Sequence, residues 1–335
     1  MYTDEDLDKA VEKGIFSDTS VSAFRAYISE IHSTFAVDEE NFRLVTSFND
    51  IFVVIACILA LFSSAWVGHG IHPALAPAIV ACLSWGLAEF FVLKRKMALP
   101  AIVLLISFVG ALFAFFIILF GKPTEQVLLI SATVSSLGAW AHWRRFKVPI
   151  TVAAGVATTA IFAVSLLLSI FPPLKEFIDY FVFFSGIVTF HIAMRWDASD
   201  LDRTTSHSDI AFWLHLAAAP MIVHPIFSNL GIFEGDQGLI NIMVILLLYI
   251  ALILLSLIID RRAFMVSSLA YVLFALTTLL KNYGLAGDSF AFVGVLIGFS
   301  LLLLSGFWHK ARHHLIACLP QYIRGMIPSM NAPSA

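Results

Sequence analysis

Charge is what this sequence has least of. Only 13% of its 335 residues are Asp, Glu, Lys or Arg, against about 25% in an ordinary soluble domain. A chain so poor in charge cannot coat itself for water, and a net charge of −3 offers no basic surface to nucleic acid. Cysteine is scarce as well. Cys57, Cys82 and Cys318 stand far apart, with no CxxC pair, so neither a disulfide framework nor a thiolate metal site is readable. No GxxxxGK[ST] loop, GxSxG elbow, HExxH helix or dinucleotide glycine motif occurs. The apolar runs do not alternate either: IFVVIACILALF lacks the in–out rhythm of a membrane β-barrel strand. The N-terminus, MYTDEDLDKAVEKG, is acidic and polar where a cleaved signal peptide is basic and then apolar, so the first span is expected to act as its own insertion signal.

What fills the chain instead is apolar: 60% of residues are hydrophobic and the mean hydropathy is +0.91. Long runs almost free of charge recur, each close to the ~20 residues that cross a bilayer. With no water in that layer the backbone must satisfy itself, and helices do so within one segment. The expected fold is all-α, a polytopic helical membrane protein with ten spans. They fall near 50–67, 76–93, 98–120, 124–141, 148–171, 177–194, 209–228, 239–259, 263–280 and 290–308. Asp50 and Thr124 are placed to cap the first and fourth, and Pro77, Pro100 and Pro149 fall in first turns, where a missing N–H does no harm.

The basic residues orient this threading. Lys122, Lys175 and Lys281 fall on one side of the ten spans, and the other seventeen Lys and Arg fall on the opposite side. Because Lys and Arg in short loops stay cytoplasmic, both termini are expected inside. Three tight turns, FFVLKRKMALP, AHWRRFKVP and LIIDRRAFMV, repeat the same pattern of apolar helix, basic turn and apolar helix, as any up-and-down bundle with its positive charge inside would. The expected organisation is a cytoplasmic helical unit over 1–48, a transmembrane bundle over 49–308 and a cytoplasmic tail over 309–335. That tail, HKARHHLIACLPQYIRGMIPSM, mixes cations with apolar residues and is expected to lie along the membrane surface.

Within 1–48, Asp4 to Lys13 reads as a short helix ended by Gly14, and Ser17, Asp18 and Thr19 can each cap the next. Val21, Phe24, Ile28, Ile31 and Phe35 then form one apolar face, and a third helix follows Asp38. The K-G-I turn of LDKAVEKGIFSDTS, feeding a bundle through FNDIFVVIACILAL, resembles bacterial predicted membrane proteins of unassigned function. The likeness covers about the first seventy residues. It implies a bacterial inner membrane and assigns no activity and no site residue.

Ionisable groups inside membrane helices are expensive and mark candidate sites. Glu89, His191 and His215 each lie within roughly 6–9 Å of the cytoplasmic boundary, counted at ~1.5 Å per residue. If their helices are neighbours, Glu89 can pair with His191 or His215 and relay a proton. Alternatively each is a packed or snorkelling residue, Glu89 reaching Arg95 or Lys96. Trp85, one turn before Glu89, suits a pocket wall or plain packing. His224 lies nearer the other face, level with Asn241, and Pro220 and Pro225 are positioned to kink its helix. No third ligand accompanies His69 and His72 in GHGIHP, and nothing beyond His191 and His215 suggests haem, so no metal or other cofactor is expected. Asp197, Asp200 and Asp202 in RWDASDLDRTTSHSD do not match a calcium loop and are expected in a solvated turn.

The leading functional expectation is a small-solute or ion permease, with proton coupling through Glu89, His191 and His215 and with the lipid bilayer and a small solute or ion as partners. The alternative is a membrane sensor or scaffold working through 1–48 and the cytoplasmic loops. An enzyme on a lipid-linked substrate ranks third, because no catalytic constellation is visible. The permease requires a hydrated cavity at Glu89 or His191, the scaffold a dry bundle with an apolar patch on its N-terminal unit, and the enzyme a lateral opening beside paired polar residues.

Overall fold

The structure, a computed structural model, describes residues 7, 10–24, 48–201, 203, 205–231, 239–282 and 289–321. The chain divides into two compact units, Met1–Asn41 with Met330–Ala335, and Phe42–Ser329.

In the first unit Gly14 ends a helix, as its sequence position suggests. It adopts φ +68°, its N–H bonds Val11 O, and Ile15 N–H bonds Ala10 O, the paired closure that only a left-handed residue permits. Ser17 caps the helix over 18–24, accepting from Ser20 N–H at 3.1 Å. Val21 is buried, whereas Ile15 and Phe16 are exposed. The expected face from Ile28 to Phe35 and the third helix after Asp38 lie outside the described residues.

The second unit is helical, and no strand occurs among the described residues. Its helices are α1 (Phe48–Ile71), α2 (Leu75–Ala88), α3 (Ala98–Phe120), α4 (Glu125–Phe146), α5 (Ile150–Ile170), α6 (Ile178–Ala198), α7 (Ser206–Asn229), α8 (Leu239–Ile259), α9 (Ala263–Asn282), α10 (Ser289–Gly306) and α11 (Trp308–Ala317). A π-helical turn, Glu89–Lys94, extends α2, and a 3-10 turn, Pro172–Phe177, leads into α6. Local chemistry sets several ends. Thr124 accepts from Val127 N–H to start α4, and Gly121 closes α3 at φ +73°. Asp50 sits in the first turn of α1 rather than at its cap. α7 runs on through Pro220 and Pro225 without a break in its assignment.

Eight of these helices are long and apolar enough to cross a membrane, or nine if α10 and α11, bent by 70° at Phe307, count as one span. The sequence suggests ten. The remaining helix, α4, has the length at 22 residues but carries Glu125, Gln126, His142, Arg144 and Arg145 among several serines.

Four apolar clusters lie among the described residues of the unit. One packs α1 to α5 around Leu104 and Leu105, and a second packs α7 to α10 around Val223, Phe227 and Ile245. A third, Ala153, Ala193, Ile210 and Leu214, joins α5, α6 and α7. Gly186 lets α6 and α7 approach closely: a Cβ there would stand 2.8 Å from Ile222 Cγ1 and 3.0 Å from Ile222 N. The tail begins as a helix with one face buried. α11 buries Trp308, Arg312 and Ile316, with Trp308 against Leu257 and Met265.

Ion pairs fix which helix ends lie together. Glu89, after α2, meets Arg145 at the end of α4, while Glu125, at the start of α4, meets Lys175 just before α6. Neighbouring helices therefore alternate in direction. The turns after α2, α4, α6 and α8 each place one non-glycine residue at positive φ: Lys96, Lys147, Arg203 and Asp260. An L residue adopts that conformation unwillingly, so these four tight reversals are held by their surroundings.

Candidate functional site

The strongest concentration of buried charge lies where α6 ends, α7 begins and α8 turns into α9. The α8–α9 reversal spans only residues 260–262, so with apolar helices on both sides its charged side chains cannot all reach water. Arg261 turns inward and forks onto Asp197, the penultimate residue of α6: Nη2 to Oδ1 at 2.7 Å and Nε to Oδ2 at 3.4 Å. The same Nη2 donates to the Ser208 carbonyl and hydroxyl, both at 3.1 Å. His215, two turns further along α7 than Ser208, brings Nε2 to Asp197 Oδ2 at 2.8 Å. Arg261, Asp197 and His215 are each at most 1% exposed. An ionised carboxylate only accepts, so Nε2 carries a proton and donates, and in the neutral ring Nδ1 then holds the lone pair. That Nδ1 is buried without a hydrogen-bond partner among the described residues.

A second cluster adjoins the first. Asp260, at φ +57°, directs its carboxylate to Arg203 Nη1 at 3.0 Å, and Trp308 Nε1 donates to it at 2.9 Å. Arg312 of α11 stands 3.5 Å from the same carboxylate, and Arg262 lies over the Trp308 ring. Arg203 sits in the α6–α7 loop, outside any span. Burial and then the neighbouring Arg261 push its guanidinium below the usual pKa, while Asp260 and Asp197 oppose that shift. Asp200 accepts from Thr205 N–H and Oγ1 at 2.9 and 2.8 Å, holding the loop closed. The expectation of a solvated acidic loop is therefore corrected: Asp197 and Asp200 are 1% and 7% exposed because each has donors within the fold. Asp202 lies outside the described residues.

The residues singled out from sequence are not brought together. Glu89 is taken by Arg145, both oxygens receiving bonds at 2.8 and 2.9 Å, in place of the expected Arg95, Lys96 or histidine. His191 is exposed, on a face of α6 that does not meet His215. His215 is the one of these that joins a charged cluster. His224 is exposed and pairs with the Tyr271 hydroxyl at 2.8 Å, and Asn241 is exposed on α8. Trp85 packs its ring on Phe108, His142 and Phe146. Within that aromatic cage His142 is 1% exposed, its Nδ1 3.2 Å from Thr151 Oγ1. Sequence reasoning missed Arg261 and Asp197 as a pair by treating both as loop charges. The usable signal was IIDRRAF, a basic pair in a turn too short to expose it.

A cleft of about 680 Å³ opens between α4, α5 and α6. Its walls include Gly155, Ala160 and Ala163 on α5 and Phe181, Phe184 and Val188 on α6. Trp143 and Trp196 line it and also pack on the Ala153–Leu214 cluster. Comparisons with protein-family models, with curated proteins and with solved structures find no match.

Proposed function

We propose that this chain is a small-solute or ion permease of a bacterial inner membrane, crossing ten times with both termini cytoplasmic. Its moving part is the inner end of α6 to α9. The observation that carries the reading is the Arg261–Asp197–His215 cluster: charged groups buried at the ends of apolar helices, with one histidine nitrogen unpartnered among the described residues. Such groups are rare in membrane helices and are retained for function by default. The tenth crossing is α4, whose ion pairs at both ends match it in length to its neighbours. His215 is the proton-carrying candidate in this reading. Glu89 is not, because the Arg145 fork already occupies its carboxylate.

A sensor or scaffold is the second reading. It is favoured by Ile15 and Phe16, adjacent and both at least half exposed on the N-terminal unit.

Thiol accessibility separates the two. With Cys57, Cys82 and Cys318 replaced, a single cysteine at Ala211, between Ser208 and His215 on α7, is treated in membranes with a small aqueous thiol reagent. A permease opens this region to water, so the site labels slowly, and faster when Asp197→Asn loosens the cluster. Silence at Ala211 in both backgrounds, while a control cysteine at Lys122 labels, overturns the permease and leaves the scaffold.

A further inference from the structure

We propose that the cleft between α4, α5 and α6 is a binding site for one anionic phospholipid, taken from the leaflet at the Arg144 end. One acyl chain lies in the cleft and the phosphate sits among Arg144, Lys147 and Arg195. The proposal goes beyond the permease reading and does not depend on it.

The interior of the cleft suits a hydrocarbon chain and little else. From Thr151 to Leu167 it follows α5 over sixteen residue steps, about 24 Å, so it reaches from one interface past the bilayer middle. Its threonine hydroxyls are engaged within the fold. Thr151 Oγ1 faces His142, Thr159 Oγ1 donates to Gly155 O at 2.7 Å, and Thr189 Oγ1 donates to Ser185 O at 2.8 Å. Among the lining threonines a polar solute finds no free partner, whereas Gly155, Ala160 and Ala163 leave a trough with room for methylenes. Phe184 and Val188 on the α6 wall are about 60% exposed, so the trough is open sideways, and a chain enters from the bilayer.

The rim supplies the charge. Trp140, Trp143 and Trp196 line the end of the cleft where α4 and α6 finish and α5 begins, at the depth of an interfacial aromatic belt. Two cations are laid on these rings: Arg144 over Trp140 at 5.4 Å and Lys147 over Trp143 at 5.2 Å. Neither makes an ion pair among the described residues, although Arg145 between them is committed to Glu89. Arg195 follows Val188 by seven residues, two turns along the same face of α6, and also makes no ion pair among the described residues. Cations held at a fixed spot by aromatic rings, unpaired and beside an apolar trough, complement a phosphate ester on an acyl chain. At the opposite end Lys175 is already paired with Glu125.

The test uses the purified full chain in detergent and native mass spectrometry. Phosphatidylglycerol and phosphatidylcholine of identical acyl chains are added in equal amounts. The expected result is retention of one phosphatidylglycerol in preference to phosphatidylcholine. The double variant Arg144→Ala/Lys147→Ala reduces that preference roughly tenfold or more. Gly155→Leu, which fills the trough, removes retention of the lipid while leaving the rim cations in place. Ala163→Phe repeats this test at an exposed position if Gly155→Leu fails to fold. Equal retention of the two lipids overturns the proposal. So does unchanged phosphatidylglycerol retention in the filled-trough variants, which would mean that headgroup charge acts without a chain site.

Discussion

Arg145 closes on Glu89 across fifty-six residues of sequence, Nε to Oε1 at 2.9 Å and Nη2 to Oε2 at 2.8 Å. The fork joins the end of α4 to the π-helical turn after α2, whose register is shown by Arg95 N–H bonding Phe90 O, five residues back. Arg145 is 54% and Glu89 36% exposed, so the pair registers two helix ends without carrying much of the stability. Glu89→Gln is expected to leave the thermal midpoint of the purified protein close to the wild-type value. A large drop would show that the π turn depends on this fork.

The inner cluster behaves differently. Asp197→Ala strands the buried Arg261, and breaking a buried pair by removing one partner costs about 3–5 kcal/mol. Asp197→Leu/Arg261→Met removes both charges and is expected to be less destabilised than Asp197→Ala alone. Unfolding monitored by helical circular dichroism in mixed detergent compares the two. A double variant as damaged as the sum of its singles would mean that the two side chains act independently.

Two glycines are expected to answer oppositely to alanine. At Gly186 a Cβ would meet Met221 and both side chain and backbone of Ile222 at 3.0 Å or less. Gly186→Ala therefore forces α6 from α7, with a loss of about 1–3 kcal/mol. At Gly155 the nearest atom is Ala139 Cβ at 3.7 Å, an ordinary contact, and Gly155→Ala is neutral or stabilising. Melting the two variants side by side decides the matter.

Trp308→Phe keeps an aromatic ring in its buried seat and deletes only the indole N–H on Asp260. A hydrogen bond to a charged group contributes about 1.5–3 kcal/mol. The variant should also expose α11 to limited proteolysis before the rest of the chain. Wild-type protease resistance would place the hold on α11 in its apolar contacts with Leu257 and Met265.

The helices were legible because the bilayer imposes one period and one length, and residues such as Gly14, Gly121 and Thr124 act locally wherever they stand. The count was harder at α4, where serines, His142 and two arginines dilute a helix as long as its neighbours. The site was less legible for a physical reason. Partner choice among charges depends on which helix ends converge, and Asp197 with Arg261, like Glu89 with Arg145, is separated by too much chain for any spacing rule. His215 was visible as an ionisable group in an apolar helix. Its partner sat in a stretch whose composition reads as loop. Asp200 illustrates the same limit: its acidity suggests water, while its burial follows from the Thr205 N–H and hydroxyl five residues on.

The separation of Asp197 from Arg261 also sets an order of events during synthesis. They stand sixty-four positions apart, and at ~5–20 residues per second Arg261 follows Asp197 by roughly 3–13 s. During that interval Asp197 has Arg203 and His215 of its own hairpin to answer its charge, but not the buried fork that Arg261 supplies. The α6–α7 hairpin is therefore expected to take its final packing only after α8 has been made and the fork closes. Biogenesis of the second half is then a two-step affair in which a late-arriving turn seats an early hairpin. A ribosome stalled before residue 261 should hold that hairpin where aqueous reagents still reach it.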